Sequence, residues 1–210
     1  MKKIPCLFQR DFSSQRRPVL LDAVTPGCER IMAGEGMATR KWDGTACLVK
    51  DGKLYARYDA KAGKTPPEGS IPCEPAPDPM TGHWPHWVLV AERLRGATEE
   101  PPLLRPQYKH HVAAWEASMP PLEDDGSYEL CGPHFQGNPQ HLETDTFIRH
   151  GEHRLIGFGD RSFERLRDWF LTHPTWEGIV FWLDSAPHCK IRRDDYGLPW
   201  PVPASAEAGE

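Results

Sequence analysis

Prolines interrupt this chain at short intervals. There are 22 in 210 residues, roughly twice the ~5% of an ordinary domain. Each removes a backbone N–H and fixes φ, so a helix cannot run through it without losing a hydrogen bond. The spacing argues against long helices and predicts strands joined by rigid loops. The apolar runs between the prolines agree. Residues 34–59 read as a β-meander, with a hairpin formed by the runs TACLVK and KLYARYD around the turn Asp51-Gly52. Residues 60–82 are a Pro/Gly-rich connection, of a length that is usually functional or disordered inside a compact domain. Further strands are predicted at WVLVAERL (87–94), GSYELC (126–131) and HRLIGF (153–158), with a hairpin-like pair from WEGIVFWL (176–183) and HCKIR (188–192).

Two helices are expected. Residues 107–117 end at Pro120-Pro121, and residues 163–172 place Phe163, Leu166, Trp169 and Phe170 on one face. Ser162 stands as N-cap of the second, with Glu164 in its first turn. Strands dominate, which gives an α+β class in one domain over residues 1–203, with residues 204–210 a frayed tail. No apolar run approaches the ~18 residues of a membrane span. The opening MKKIPCLFQRDF lacks the apolar stretch of a secretory signal, so a cytoplasmic protein is expected. The six cysteines are widely and irregularly spaced with no CxxC pair, which suits free thiols in a reducing compartment better than a zinc site. His83 and His86 have an HxxH spacing, and His110 and His111 are adjacent. Neither pair has a third ligand at a recognisable offset, and loop or core histidines account for both.

The formal charge of −5 offers no global argument for a polyanionic partner. The sign is unevenly distributed, however. Between Arg40 and Lys64 lie seven Lys/Arg against three Asp, whereas five acids and no base occupy Glu116 to Glu129. A phosphate-binding site would therefore have to sit near the first stretch.

Four short segments carry chemistry. Lys41-Trp42-Asp43-Gly44 falls where one strand ends and a hairpin begins. A lysine nucleophile must be neutral, although its free pKa is ~10.4; neighbouring cations and desolvation lower it. Gly44 would let backbone approach a ligand closely. Tyr128-Glu129-Leu130-Cys131-Gly132 and Trp176-Glu177-Gly178-Ile179-Val180 each set one carboxylate in an apolar strand. Two such carboxylates on neighbouring strands could hold a divalent cation, although for each segment taken separately an edge strand with its Glu in water is the plainer reading. In Cys189-Lys190-Ile191-Arg192, alternation puts Lys190 and Arg192 on one face, toward solvent or toward a shared anion.

The order of these segments resembles motifs I, III, IV and V of the covalent nucleotidyltransferases, the polynucleotide ligases and mRNA capping enzymes. The stretches Arg57–Lys61, Gly137-Asn138-Pro139 and Glu177 through Tyr196-Gly197-Leu198-Pro199-Trp200-Pro201-Val202-Pro203 look like the small single-domain family of ATP-dependent 5′–3′ RNA ligases. That resemblance implies a nucleotidyltransferase (ATP-grasp-like ligase adenylation) domain with twisted antiparallel sheets. It implies ATP as cosubstrate, Mg2+ or Mn2+ as metal, and RNA ends bearing a 5′-phosphate and a 3′-hydroxyl as partners. By the same resemblance Lys41 is the covalent nucleophile, Glu129 serves the ribose or a metal-bound water, Glu177 holds the metal, and Lys190 meets the α-phosphate. Arg192 stands where many relatives have lysine, keeping the charge with bidentate geometry. Asp43 and Gly44 complete motif I. Many relatives carry an arginine soon after that glycine; here Thr45-Ala46 follows, and the duty passes to Arg57, with Lys61 and Lys64 also available. Phe158 sits where relatives place an adenine-stacking aromatic, with Trp42 and Phe181 as competitors. Little chain follows Arg192, so the OB-type domain of larger ligases is not expected. The alternatives are a non-catalytic nucleotide- or RNA-binding module of the same fold, or a ligase of DNA or nicked hybrids.

Overall fold

A computed structural model describes residues 2–13, 18–92, 105–118 and 125–202. The chain divides into two compact units, one of Ile4–Trp42 and Gly151–Glu210, the other of Met1–Lys3 and Asp43–His150. In the first unit, β1 (Phe8–Asp11) and β2 (Val19–Val24) pair as a two-stranded ribbon, followed by the short α1 (Glu29–Met32) and β3 (Met37–Lys41). The second unit then supplies β4 (Thr45–Lys50), β5 (Lys53–Ala60), β6 (Ile71–Pro72), β7 (Trp84–Glu92), α2 (Lys109–Glu116), β8 (Gly126–Cys131) and β9 (Thr146–Arg149). The chain returns to the first unit with β10 (Arg154–Leu155), α3 (Phe163–Thr172), β11 (Gly178–Leu183) and β12 (Ala186–Arg192). The sheets are antiparallel: a four-stranded one ordered β10-β3-β11-β12 and a six-stranded one ordered β6-β7-β5-β4-β8-β9. The class is α+β, as expected. Among the described residues no helix is long and apolar enough to cross a membrane.

Turn chemistry made the hairpins. Asp51 and Gly52 have φ of 52° and 71°, which joins β4 to β5 by two residues in the left-handed region. Asp184 and Ser185 do the same between β11 and β12, at 51° and 64°. The meander fails at its first strand. β3 has both edges occupied, by β10 and β11, and lies in a different sheet from β4 and β5. HRLIGF is strand only at Arg154–Leu155; Gly157 turns the chain at φ 74° and Ile156 is exposed. In the 60–82 connection, Ile71–Pro72 adds an edge strand to β7. Of WVLVAERL, Arg93 and Leu94 lie outside the described residues, as do Pro120-Pro121 and the tail beyond Val202.

The core of the first unit gathers Leu7, Phe8, Ile31, Ile179, Phe181 and Ile191 with Leu166 and Phe170 of α3. The predicted apolar face of α3 is therefore the buried one, with Phe163 and Trp169 at its margin. Ser162 occupies the cap position without a side-chain cap bond; its own N–H donates to Asp160 Oδ1 at 3.0 Å. In the second unit, Val112 and Trp115 of α2 cover Cys47, Val49, Leu54, Val90 and Leu130 of the sheet. The residues predicted as a helix at 107–117 begin with a 3₁₀ turn, Pro106–Tyr108, before α2. All six cysteines are free thiols, five of them buried. Burial pushes the Cys47 and Cys189 thiols well above their usual range, the opposite of what a nucleophile needs.

Candidate active site

Three adjacent strands of the first unit assemble a charged face. Lys41 at the end of β3 lies opposite Gly178 of β11, which in turn lies opposite Arg192 of β12. Two rungs inward, Thr39, Val180 and Lys190 form the parallel row on the same face. Directly opposed residues share a sheet face, so Lys41, Lys190 and Arg192 stand together. The alternating residues Ile179, Phe181, Cys189 and Ile191 fill the core on the other face. Gly178 lies between the two cationic strands for want of space: a Cβ there would stand 2.6 Å from the Ile191 carbonyl oxygen.

Glu177 immediately precedes β11 and is only 7% exposed. Its Oε2 accepts a charge-assisted hydrogen bond from Lys41 Nζ at 2.6 Å. Arg193 fixes the end of β12 to this point by donating its N–H to Glu177 O at 2.8 Å. Lys190 is the strongly perturbed cation. Burial first, then the positive charges of Lys41 and Arg192, push it down to about 8, with Glu177 and Asp195 opposing. Arg192 is clamped by acids the sequence did not single out. Asp195 Oδ2 accepts its N–H at 2.8 Å, Asp195 Oδ1 accepts from Nη2 at 3.2 Å, and Asp194 Oδ1 lies 3.3 Å from Nε. Arg10 also pairs with Asp195. Three-residue spacing along a 3₁₀ turn could have suggested Asp195; nothing local marks Arg10.

Arg40 leaves this face. Its guanidinium lies 3.9 Å from the Trp42 ring and 4.9 Å from that of Trp176, and it donates to Thr175 O at 2.7 Å. Phe158 packs edge-on against Trp169, and Phe181 is fully buried beneath the Arg161 guanidinium.

The second unit holds Glu129 in the middle of β8, opposite Ala46 of β4 and Ile148 of β9. Its Oε1 accepts the Gly44 N–H at 3.1 Å, and its Oε2 lies 2.9 Å from His150 Nε2. His150 is itself fixed by Ser127 through Nδ1 at 3.0 Å. Gly44 is required by close packing with protein: a Cβ would meet Leu130 O at 2.3 Å and Cys131 Sγ at 2.7 Å. The Gln140 amide brackets the backbone of Asp43, accepting from its N–H at 2.8 Å and donating to its carbonyl at 3.2 Å. Arg57 sits in β5 opposite Trp87, while Lys61 and Lys64 are exposed. Glu129 and Glu177 are thus not on neighbouring strands as expected, because β8 is flanked by β4 and β9, and β11 by β3 and β12.

The face with Lys41 can hold an anion and present an amine to it, and Glu177 is a carboxylate placed for either a proton or a cation. Comparison with known proteins points the same way. RNA ligase 1 of Rattus norvegicus is 24% identical over 96% of this chain and 82% of its own length. RNA ligase 1 of Pongo abelii is 26% identical over 79% of this chain and 68% of its own, and that of Mus musculus is 24% identical over 96% and 82%. No family model matches the chain. At these identities the likeness supports an RNA ligase family.

Proposed function

We propose that this chain is an ATP-dependent RNA ligase acting in RNA repair in the cytoplasm. It joins a 3′-hydroxyl to a 5′-phosphate through lysyl-AMP and adenylated RNA. The observation that carries this reading is the single sheet face on which Lys41, held at 2.6 Å by a buried carboxylate, stands beside Lys190 and Arg192. The relatives named RNA ligase 1 supply the substrate class, RNA ends.

Lys41 Nζ, freed of its proton and of its contact with Glu177, attacks the α-phosphorus of ATP. A P–N bond forms as the bond to pyrophosphate breaks. Lys190 and Arg192 offset the charge that develops on the phosphoryl oxygens, an electrostatic role fixed in advance by the strands. The AMP then passes from Lys41 to the RNA 5′-phosphate. Attack by the 3′-hydroxyl on that phosphate forms the phosphodiester and releases AMP. Glu177, with triphosphate oxygens, makes a donor set that Mg2+ or Mn2+ accepts. In the structure the Lys41 ammonium stands against that carboxylate, where a cation belongs. When bound, the metal supplies positive charge to the phosphoryl group. Glu129, fixed by Gly44 and His150, serves the ribose or a metal-bound water. Asp43 and Gly44 continue the nucleophile's segment, Arg57 meets the outer phosphates, and Phe158 offers an adenine contact.

The test is incubation with α-labelled ATP and Mg2+, followed by 5′-phosphorylated RNA. Wild-type protein is expected to carry covalent AMP and to yield circles and concatemers, and Lys41→Ala to do neither. Absence of any protein-bound label in the wild type overturns the proposal.

A further inference from the structure

Outside the cationic face, one cluster among the described residues brings together metal-ligating donors from distant parts of the sequence. His110 lies in the first turn of α2, His134 in the turn that follows β8, and Asp145 immediately before β9. One ligand-capable atom from each lies within 4.8 Å of the other two. The imidazoles of His110 and His134 are stacked, 3.8 Å between centroids and 14° from parallel. Asp145 fixes His134 twice, with Oδ2 2.7 Å from Nδ1 and Oδ1 accepting the backbone N–H at 3.2 Å.

We propose that His110, His134 and Asp145 form a site for a divalent transition-metal ion, Zn2+ in the first instance, that ties α2 to the β8–β9 connection. Two imidazoles and one carboxylate are a nitrogen-rich set, suited to zinc, cobalt or nickel rather than to magnesium or calcium, which favour all-oxygen surroundings. The 2.7 Å contact sets Asp145 Oδ2 and His134 Nδ1 side by side, so that a cation displacing the proton shared between them takes both atoms as ligands. Room for the carboxylate is built into the backbone. Gly132 has φ +144°, and a Cβ there would stand 2.5 Å from Asp145 Oδ1. Donors around a tetrahedral ion with bonds of about 2.1 Å lie about 3.4 Å apart, so the wider separations of up to 4.8 Å must close while the 2.7 Å pair of Asp145 and His134 opens slightly. The His134 side chain, 50% exposed against 12% for Asp145, has the freedom to make that movement. Three protein ligands leave the remaining position to water.

The site is independent of the ligase reading, and its test does not use activity. Metal-free full-length protein is titrated with Zn2+ alone against a chromophoric chelator, and with Co2+ alone by its visible absorption. One high-affinity equivalent is expected, together with a zinc-dependent rise in thermal midpoint. His110→Ala, His134→Gln and Asp145→Asn are expected to weaken binding by at least about tenfold, while Glu177→Ala and Cys73→Ser leave it unchanged. Circular dichroism establishes that each variant is folded, and the half-exposed His134 makes His134→Gln the variant that decides if another unfolds. No zinc binding by wild type, unchanged binding in folded His134→Gln, or loss in Cys73→Ser overturns the proposal.

Discussion

Gly44→Ala tests whether the segment after Lys41 is shaped by protein packing. The added Cβ would stand 2.3 Å from the Leu130 carbonyl oxygen and 2.7 Å from Cys131 Sγ. The carbonyl belongs to the β8 backbone and cannot swing aside. The contact must open by about an ångström to reach ordinary van der Waals distance, which separates β4 from β8 at the Thr45–Leu130 pair. Overpacking of this kind costs ~1–3 kcal/mol. The same displacement stretches the 3.1 Å bond from Gly44 N–H to Glu129, and a hydrogen bond to a charged group contributes ~1.5–3 kcal/mol. Because one movement causes both losses they overlap, and a total of about 3 kcal/mol is expected. Gly159→Ala is the control, since no atom lies within 4 Å of its added Cβ and its φ is not in the left-handed region; it should gain ~0.4–1 kcal/mol. Urea denaturation of both variants gives the stabilities, and labelled AMP transfer in the same preparations reports on Glu129. A Gly44→Ala midpoint indistinguishable from wild type would refute the packing argument and leave ligand approach as the reason for glycine.

Other expectations concern the charged groups. Lys190 is depressed from 10.5 to about 8 in the folded protein. The unfolded chain therefore binds more protons between those values, and stability should climb by about 3 kcal/mol as pH rises through that window. Urea midpoints at pH 7.5 and 10 should show this rise in wild type and lose it in Lys190→Met. His111 is lowered from 6.5 to about 4, chiefly by burial and then by His110. Stability should fall by about 3 kcal/mol as pH drops from 6.5 toward 4, and His111→Leu should flatten that limb of the denaturation profile. Removing one partner of a buried pair costs ~3–5 kcal/mol, so Glu177→Ala should lower the thermal midpoint. It should also reduce AMP transfer to Lys41 by a factor on the order of 10²–10³.

What could be read from the sequence was local. Asp51-Gly52 announces its hairpin because two adjacent residues must enter the left-handed region, and those types do so at least cost. The helix at 163–172 follows from four large apolar side chains at helical spacing. Strand partners did not follow. Met37–Lys41 has the composition of a third meander strand, yet its neighbours come from 154–155 and 178–183. Only long-range pairing decides between those outcomes, and no residue within β3 encodes it. Likewise Gly44 is readable as a place of close approach, but the approaching group, the β8 backbone, is identified only by the fold.

The candidate site divides along the same line. Lys41, Glu177, Lys190 and Arg192 converge because β3, β11 and β12 are adjacent, whereas the fourth segment, with Glu129, lies in β8 of the other sheet. Neutralisation of the cations was only partly legible: a three-residue spacing links Arg192 to Asp195, but no spacing connects Asp195 to Arg10. Yet it decides which cation is most available to a phosphate. Lys41 is paired with Glu177, Arg10 with Asp195, and Arg192 with both Asp194 and Asp195. Among the described residues, no carboxylate lies within ion-pair distance of Lys190. Its charge is the least directly paired of the face, and burial first, then Lys41 and Arg192, holds its pKa down. An incoming phosphate therefore gains most at Lys190 and disturbs no existing bridge there, whereas contact with Lys41 or Arg192 must compete with a resident acid. The acidic total of the chain is thus compatible with a polyanion site, because the acids near this face are committed to two of its cations and leave the third exposed to an anion.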